Sequence, residues 1–258
     1  PDPEVTGYTF GGWYKEPACT NAWNFDADIV TNTTTLYAKW NLTSGCETLF
    51  MATSTSSSSA FTPTVGTTTG STGITRGESS PYAVKLNGDK SYIQLNALSG
   101  MTFIEGDVLS VTLYNKGSGD KELGFILKGT SHTITIPGKT SEVLTYVITS
   151  ADIESDGTIK IYRTTSEDRY VSVQVERCAL YNITCLSATN GSVTTDKTSA
   201  AEGSTITFTA TPDAGYVLDN VDVYKSDDPT VKVTPTGNQF TMPAYDVTVA
   251  PTFRAAEI

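Results

Sequence analysis

Basic residues are scarce in this chain, histidine is almost missing, and no apolar run is long enough to cross a bilayer. Seventeen Lys plus Arg stand against 28 Asp plus Glu in 258 residues, a formal net charge of -11. That balance opposes approach to phosphate backbones and anionic lipid surfaces, which argues against nucleic acid as a partner. No stretch of about 18 consecutive apolar residues occurs, so membrane insertion by a helix is not expected. The opening Pro1-Asp2-Pro3-Glu4 lacks the basic and apolar regions of a signal peptide. The single histidine, His132, sits at the start of an alternating stretch and reads as an exposed strand-end residue. No G-x-S-x-G frame accompanies it. Without an acid, base or nucleophile in a defined setting, an enzyme is not expected.

Helix-period segments are nearly absent as well. Ser, Thr, Gly and β-branched residues recur instead, and only 17% of the chain is charged. Short strands alternating with tight turns have this composition. The fold class expected is therefore mainly β, and 258 residues suit two or three domains.

Gly7 to Trp40 holds all three tryptophans and ends in Leu36-Tyr37-Ala38-Lys39-Trp40, whose alternation predicts a closing strand. The frame returns in degenerate form: Gly215-Tyr216, alternating apolar residues, then Thr248 to Phe253 with Phe253 in place of Trp40. This is an internal repeat. Gly7, Tyr8, Phe10, Gly12, Trp13, Tyr14, Leu36, Tyr37, Ala38 and Trp40 resemble the Listeria and Bacteroides surface repeat, the internalin-type B-repeat. Gly191 to Thr194, Gly203 to Pro212, Ala214 to Tyr216, and Phe240 to Ala244 followed by Asp246 to Val249 resemble its divergent branch. The resemblance implies non-catalytic β-rich modules strung along a secreted or surface-attached bacterial protein. It also implies a truncated first copy, whose remaining strands and neighbouring domains would lie upstream in a longer chain.

Between the repeats the apolar period is two. Runs around Glu47 to Met51, Tyr82 to Leu86, Ile93 to Leu95, Leu109 to Leu113, Leu123 to Leu127, Ile134 to Ile136, Val143 to Ile148, Ile159 to Tyr162 and Val171 to Val175 predict strands. Most follow at intervals of about ten residues, the cadence of a β-sandwich or barrel. Asn87-Gly88-Asp89 reads as a hairpin turn joining two of them. The Ser/Thr/Gly tract from Ala52 to Ser80 reads as long loops with one short strand at most, either a surface excursion or a loop that shapes a binding face. Gly157 to Arg163 followed by Tyr170 to Val175 resembles the jelly-roll sandwiches that accompany bacterial polysaccharide-processing enzymes. The expected architecture is a truncated repeat module over residues 1–41, a jelly-roll-like antiparallel sandwich over 42–183, and a second repeat module over 184–258.

Several constellations bear on function. Glu105 and Asp107 could flank a glycosidic bond, but Glu105-Gly106-Asp107 reads as a turn. Asp152, Glu154 and Asp156 alternate before Gly157 like the start of a calcium loop, with no liganding acid further on; a solvated turn is the competing reading. No other cofactor is expected. Cys46 could bridge to Cys178 or Cys185 and tie the sandwich ends together, with Cys19 unpaired; four buried thiols are the alternative. Glycan binding needs exposed aromatic faces with amides beside them. Tyr92 with Gln94, Tyr162, and Tyr170 with Gln174 are candidates in the middle domain, and Trp23 in the first. Packing is the ordinary role of each such tyrosine. The function expected is thus polysaccharide or surface-glycan binding, or adhesion, at a bacterial surface or outside the cell. The alternative is a structural spacer or stalk.

Overall fold

The computed structural model describes residues 2–5, 7–31, 33–55, 61–79 and 82–257, with side chains of 75–79 left aside. The chain is nearly all β and divides into two compact units, Pro1–Asn41 with Cys46–Arg177, and Leu42–Gly45 with Cys178–Ile258.

The first unit begins with β1 (Tyr8–Tyr14) and β2 (Tyr37–Leu42), which form a two-stranded sheet. Phe10 lies between Trp13 and Trp40, with ring centroids 5.4 and 5.6 Å away. Trp40, in phase with Leu36 and Ala38, is buried, and Trp13 is half-buried against Phe10. The sandwich follows: β3 (Cys46–Thr53), β4 (Thr62–Val65), β5 (Ile74–Ser79), β6 (Tyr82–Leu86), β7 (Tyr92–Leu95), β8 (Val108–Tyr114), β9 (Lys121–Leu127), β10 (Thr130–Ile136), β11 (Ser141–Val147), β12 (Ile159–Arg163) and β13 (Tyr170–Cys178). One sheet runs β11-β8-β13-β3-β4, with β6 joined to β13 and β5 to β6; the facing sheet runs β10-β9-β12-β7. Inward residues of both sheets, among them Leu109, Val111, Val173 and Val175 opposite Ile93, Phe125, Ile159 and Ile161, make one core with no solvent exposure at these positions. Each such side chain contributes about 1.5–3 kcal/mol on burial.

Two sequence expectations fail here for identifiable reasons. Asn87-Gly88-Asp89 does not close a hairpin: β6 belongs to one sheet and β7 to the other, so the turn carries the chain across the sandwich. The Ala52 to Ser80 tract holds β4 and β5, two strands whose Thr and Ser side chains hide any apolar period. Residues 56–60 and 80 of that tract lie outside the described residues.

Cys46 opens β3 and Cys178 ends the adjacent β13; these two are disulfide-bonded, while Cys19 and Cys185 are free thiols. The compact unit that holds the sandwich runs to Arg177, and the strand that follows, Leu180–Cys185, pairs within the second unit.

The second unit comprises β14 (Leu180–Cys185), β15 (Gly191–Thr195), β16 (Ser199–Ala201), β17 (Thr205–Pro212), β18 (Tyr216–Lys225), β19 (Asp228–Val233), β20 (Gln239–Thr241) and β21 (Val247–Ala255). A sheet β16-β14-β21-β18-β19 and a smaller one, β15-β17-β20, enclose Val193, Ile206, Phe208, Val223, Phe240, Met242, Val247 and Val249. β14 pairs with β21 in parallel only as far as Val249. Pro251 lies beyond that point, where its missing N–H costs no ladder bond on the β14 side.

The repeat is visible in the backbone. Gly7 and Gly215 both take a left-handed conformation, φ +84° and +86°, which glycine adopts without strain. The tyrosine after each donates its N–H three residues back, Tyr8 to Val5 O at 3.1 Å and Tyr216 to Asp213 O at 3.0 Å. Each tyrosine then opens a strand, β1 or β18, that pairs with the closing strand of its module.

Candidate functional site

The face of the β10-β9-β12-β7 sheet that points away from the core is built by strict alternation. Ile159 and Ile161, Ile93 and Leu95, Phe125 and Leu127 all point inward. Their neighbours point outward, and the ladder sets them side by side: Tyr162 opposite Tyr92 and Lys160 opposite Gln94, then Tyr162 opposite Ile126, and Ile126 opposite Ser131. Ser131, Ile126, Tyr162 and Tyr92 thus form a row across all four strands, about 14 Å long at the usual strand spacing. The Tyr92 and Tyr162 rings are 5.4 Å apart and inclined by 56°. Both are half-buried.

Beside β7 the rim is made by the threonine-rich segment 67–72. Thr67 and Asn96 exchange backbone bonds of 3.1 and 3.0 Å, as do Thr72 and Tyr92. Ser71 Oγ accepts the Gln94 N–H at 2.8 Å. Gly70 sits so close to the Gln94 amide that a Cβ there would lie 2.6 Å from Oε1. The tract therefore borders this face. At the end of β12, Arg163 donates to Leu86 O at 2.9 Å and to Asp89 Oδ1 at 2.8 Å, pinning the crossing turn to the sheet.

The other expected ligand residues are elsewhere. Tyr170 is fully buried, its hydroxyl donating to Gly124 O at 3.1 Å, and burial drives its pKa well above the ordinary phenol value. Simple alternation places it outward with Gln174, but a bulge between Tyr170 and Ser172 shifts the phase and turns the ring into the core. Gln174 pairs with Ser110 on the opposite sheet and faces the other side of the sandwich. Trp23 lies in the N-terminal module beside a groove of 260 Å³, lined by Trp23, Phe25, Asp28, Val30, Thr34 and Leu36. Lys15 stands 5.7 Å from the Trp23 ring and bonds Asp28 at 2.7 Å, which holds the Asp28 carboxyl below its usual pKa. Phe25, Ile29 and Val30 are 69, 81 and 64% exposed around it. Ile29 precedes Trp40 by eleven positions, as Met242 precedes Phe253. Met242 is 1% exposed, in a core with Ile206, Phe208 and Phe240; among the described residues the first module has only β1 and β2 as strands.

The carboxylates of the calcium-loop candidate, Asp152, Glu154 and Asp156, are engaged by groups of the chain itself. Asp152 Oδ2 accepts from Tyr146 OH, Thr149 N and Thr149 Oγ1 at 2.9, 2.8 and 2.7 Å, capping a short 3₁₀ turn. Asp156 Oδ1 accepts from Thr158 N and Oγ1 at 3.1 and 2.7 Å, which lowers its pKa. Glu154 faces Lys128 at 4.0 Å. Among the described residues, no three His, Cys, Asp or Glu side chains are placed to hold a metal ion. Asp107 is likewise occupied: Arg177 reaches it through Nε at 2.8 Å and Nη2 at 2.9 Å, and Ile104 N–H adds a third bond. Arg177 also donates to Thr102 O and Trp40 O, so this buried pair secures the N-terminal module's last strand to the sandwich. His132 is not an exposed strand end. Its ring packs between Phe125 and Tyr146, 5.2 and 4.0 Å away, with Nε2 buried and unbonded.

Sequence reasoning passed over Lys160, Ile126 and Ser131. Lys160 was findable, since it alternates in phase with Tyr162. Ile126 was not, because it stands in an unbroken run, Phe125-Ile126-Leu127, that conceals which residue faces out.

Residues 181–257 match the family model of the divergent InlB B-repeat domain, and residues 1–39 match that of the Listeria-Bacteroides repeat domain. The two ends of the chain thus each match a model of a repeat domain. A putative membrane protein of Evansella cellulosilytica is 45% identical over 40 residues, 16% of this chain and 6% of that protein. A putative Gly-rich membrane protein of the same organism is 48% identical over 40 residues, 16% of this chain and 5% of its own length. This chain therefore spans only a small part of the curated relatives it matches. No solved structure matches it significantly. Among the described residues no helix is long and apolar enough to cross a membrane.

Proposed function

We propose that this segment is a non-catalytic string of β modules at a bacterial surface or outside the cell, and that its sandwich binds glycan on the outer face of the β10-β9-β12-β7 sheet. The observation that carries the reading is the Tyr92–Tyr162 pair, two half-exposed rings on adjacent strands with Gln94, Ser131 and the 67–72 rim beside them. Aromatic faces take the apolar side of sugar rings, and the amide and hydroxyl groups answer the sugar hydroxyls. Asp107 and Asp152 are engaged in an ion pair and a turn cap. Adhesion would follow from such binding when several modules are presented along one chain.

The test is affinity electrophoresis of the whole chain against plant, algal, host and bacterial polysaccharides, with Tyr92→Ala and Tyr162→Ala alongside. Binding to at least one polysaccharide, lost in both variants while their melting points hold, is the expected result. The packed Phe10, Trp13 and Trp40 cluster favours a second reading, a structural spacer, and silence across the panel would select it.

A further inference from the structure

Resting on that glycan reading, the placement of Lys160 narrows the ligand: we propose that the site takes acidic saccharides, with a uronate carboxylate held by the Lys160 ammonium while pyranose rings lie against Tyr92 and Tyr162. Lys160 stands two residues before Tyr162 on β12 and so shares its outward face. Its ammonium is 5.2 Å from the centroid of the Tyr92 ring. Two other cations of the sandwich are committed elsewhere. Arg163 is held by Asp89 and Leu86 O, and Lys128 by Ile153 O with Glu154 nearby. Among the described residues Lys160 forms no direct ion pair: the Asp156 carboxylate, itself bonded to Thr158, acts on it only through space, and the ammonium's contact is with an aromatic face.

That arrangement discriminates between sugars. A neutral pyranose that stacks on Tyr92 must move the ammonium off the ring and forfeit a cation–π contact, with only a hydroxyl to replace it. A uronate replaces it with a charge-assisted hydrogen bond, about twice as strong as a neutral one. Acidic sugar is therefore favoured at this position even though the chain as a whole carries -11. At physiological salt, charges beyond about 8 Å are largely screened, whereas a direct contact with Lys160 is not. The 56° inclination of the two rings adds a second constraint. Both cannot lie flat on one ribbon, so the ligand is a chain whose successive sugar rings turn relative to one another. A soluble, twisted polyuronate has that property and a flat crystalline surface does not.

The experiment presents the whole chain, at physiological salt, with polygalacturonate, alginate and hyaluronan, each beside its carboxyl-reduced form. Wild type is compared with Lys160→Met and Tyr162→Ala. Binding to at least one acidic polymer is expected, lost on carboxyl reduction, weakened about five- to tenfold in Lys160→Met, and abolished in Tyr162→Ala. Tryptophan-monitored melts unchanged in both variants would show that the losses are not losses of folding. Equal binding of a carboxyl-reduced polymer, or unchanged affinity in Lys160→Met, overturns the acidic assignment and leaves glycan binding standing. Failure to bind any polysaccharide, acidic or neutral, overturns the glycan reading itself.

Discussion

Ile29 and Met242 occupy the same place in the repeat frame and meet opposite fates, which makes them a paired test of how each module is built. Met242 is 1% exposed in the core shared with Ile206, Phe208 and Phe240, and its backbone bonds Ser204 O at 2.8 Å. Truncating a buried methionine to alanine costs about 2–5 kcal/mol. For a module of this size the whole stability is on the order of 4–12 kcal/mol. The corresponding fall in midpoint is at least about 8 °C. Ile29 is 81% exposed, so Ile29→Ala should stay within about 0.5 kcal/mol of wild type. The tryptophans separate the two signals, since Trp13, Trp23 and Trp40 all lie in the first unit and none in the second. Melts followed by far-UV circular dichroism and by tryptophan fluorescence should show Met242→Ala lowering a dichroism transition while the fluorescence transition stays in place. Ile29→Ala should move neither. A fall of more than about 1 kcal/mol in the fluorescence transition of Ile29→Ala would refute the open face assigned to the first module. A fall of less than that in Met242→Ala would refute the core assigned to the second.

The bridge between Cys46 and Cys178 closes a loop of about 130 residues, for which chain entropy alone gives about 5 kcal/mol; the paired change Cys46→Ser and Cys178→Ser should lower the fluorescence midpoint accordingly, and non-reduced peptide mapping should recover the linked pair. Cys185, half-exposed, should alkylate first, while Cys19, 4% exposed and with its thiol pushed up to about 11 by burial, should react only on unfolding. Burial lowers the pKa of His132, with the Asp152 carboxylate opposing it, so the unfolded chain takes up that proton more readily. The stability this group contributes is complete above the ordinary histidine value of about 6.5 and is lost as pH falls through the lowered one. His132→Phe should accordingly flatten the decline in midpoint that wild type shows over that window, and an unchanged slope would remove the histidine from the account.

The strands of the sandwich were legible because their inward residues alternate without interruption, as in Ile159 and Ile161 or Leu109 to Leu113. What alternation does not encode is the partner of a strand. Asn87-Gly88-Asp89 has good hairpin chemistry, yet the sheets it links are different, and only the burial demands of both faces of the core decide that. A single inserted residue has the same power over a site. The bulge after Tyr170 reverses the face of one aromatic candidate while leaving Ser172 and Gln174 where alternation puts them. Tyr92, Gln94 and Tyr162, which lie on unbulged strands, come together as their phase requires. In the calcium-loop candidate the alternating carboxylates Asp152 and Asp156 accept from N–H and hydroxyl groups of nearby threonines, a use of such carboxylates that their spacing alone does not reveal.

The same accounting explains where a function can reside in a chain so poor in reactive groups. Asp107, Asp152, Asp156 and Asp168 each accept two or more hydrogen bonds from their own surroundings, and a carboxylate so engaged has little capacity left for a substrate. Those bonds fix turns and, at Asp107 with Arg177, secure the N-terminal module's last strand to the sandwich. The outer face of the β10-β9-β12-β7 sheet differs in kind. There the Lys160 ammonium contacts a ring and feels the Asp156 carboxylate only through space, and the rings of Tyr92 and Tyr162 contact one another, so no direct ion pair on that face has to open when a ligand arrives. Binding at such a face begins with less to break than anywhere that requires an ion pair or a capped carboxylate to open. That physical difference, more than the count of aromatic residues, is the ground for placing recognition on the sandwich and support in the modules beside it.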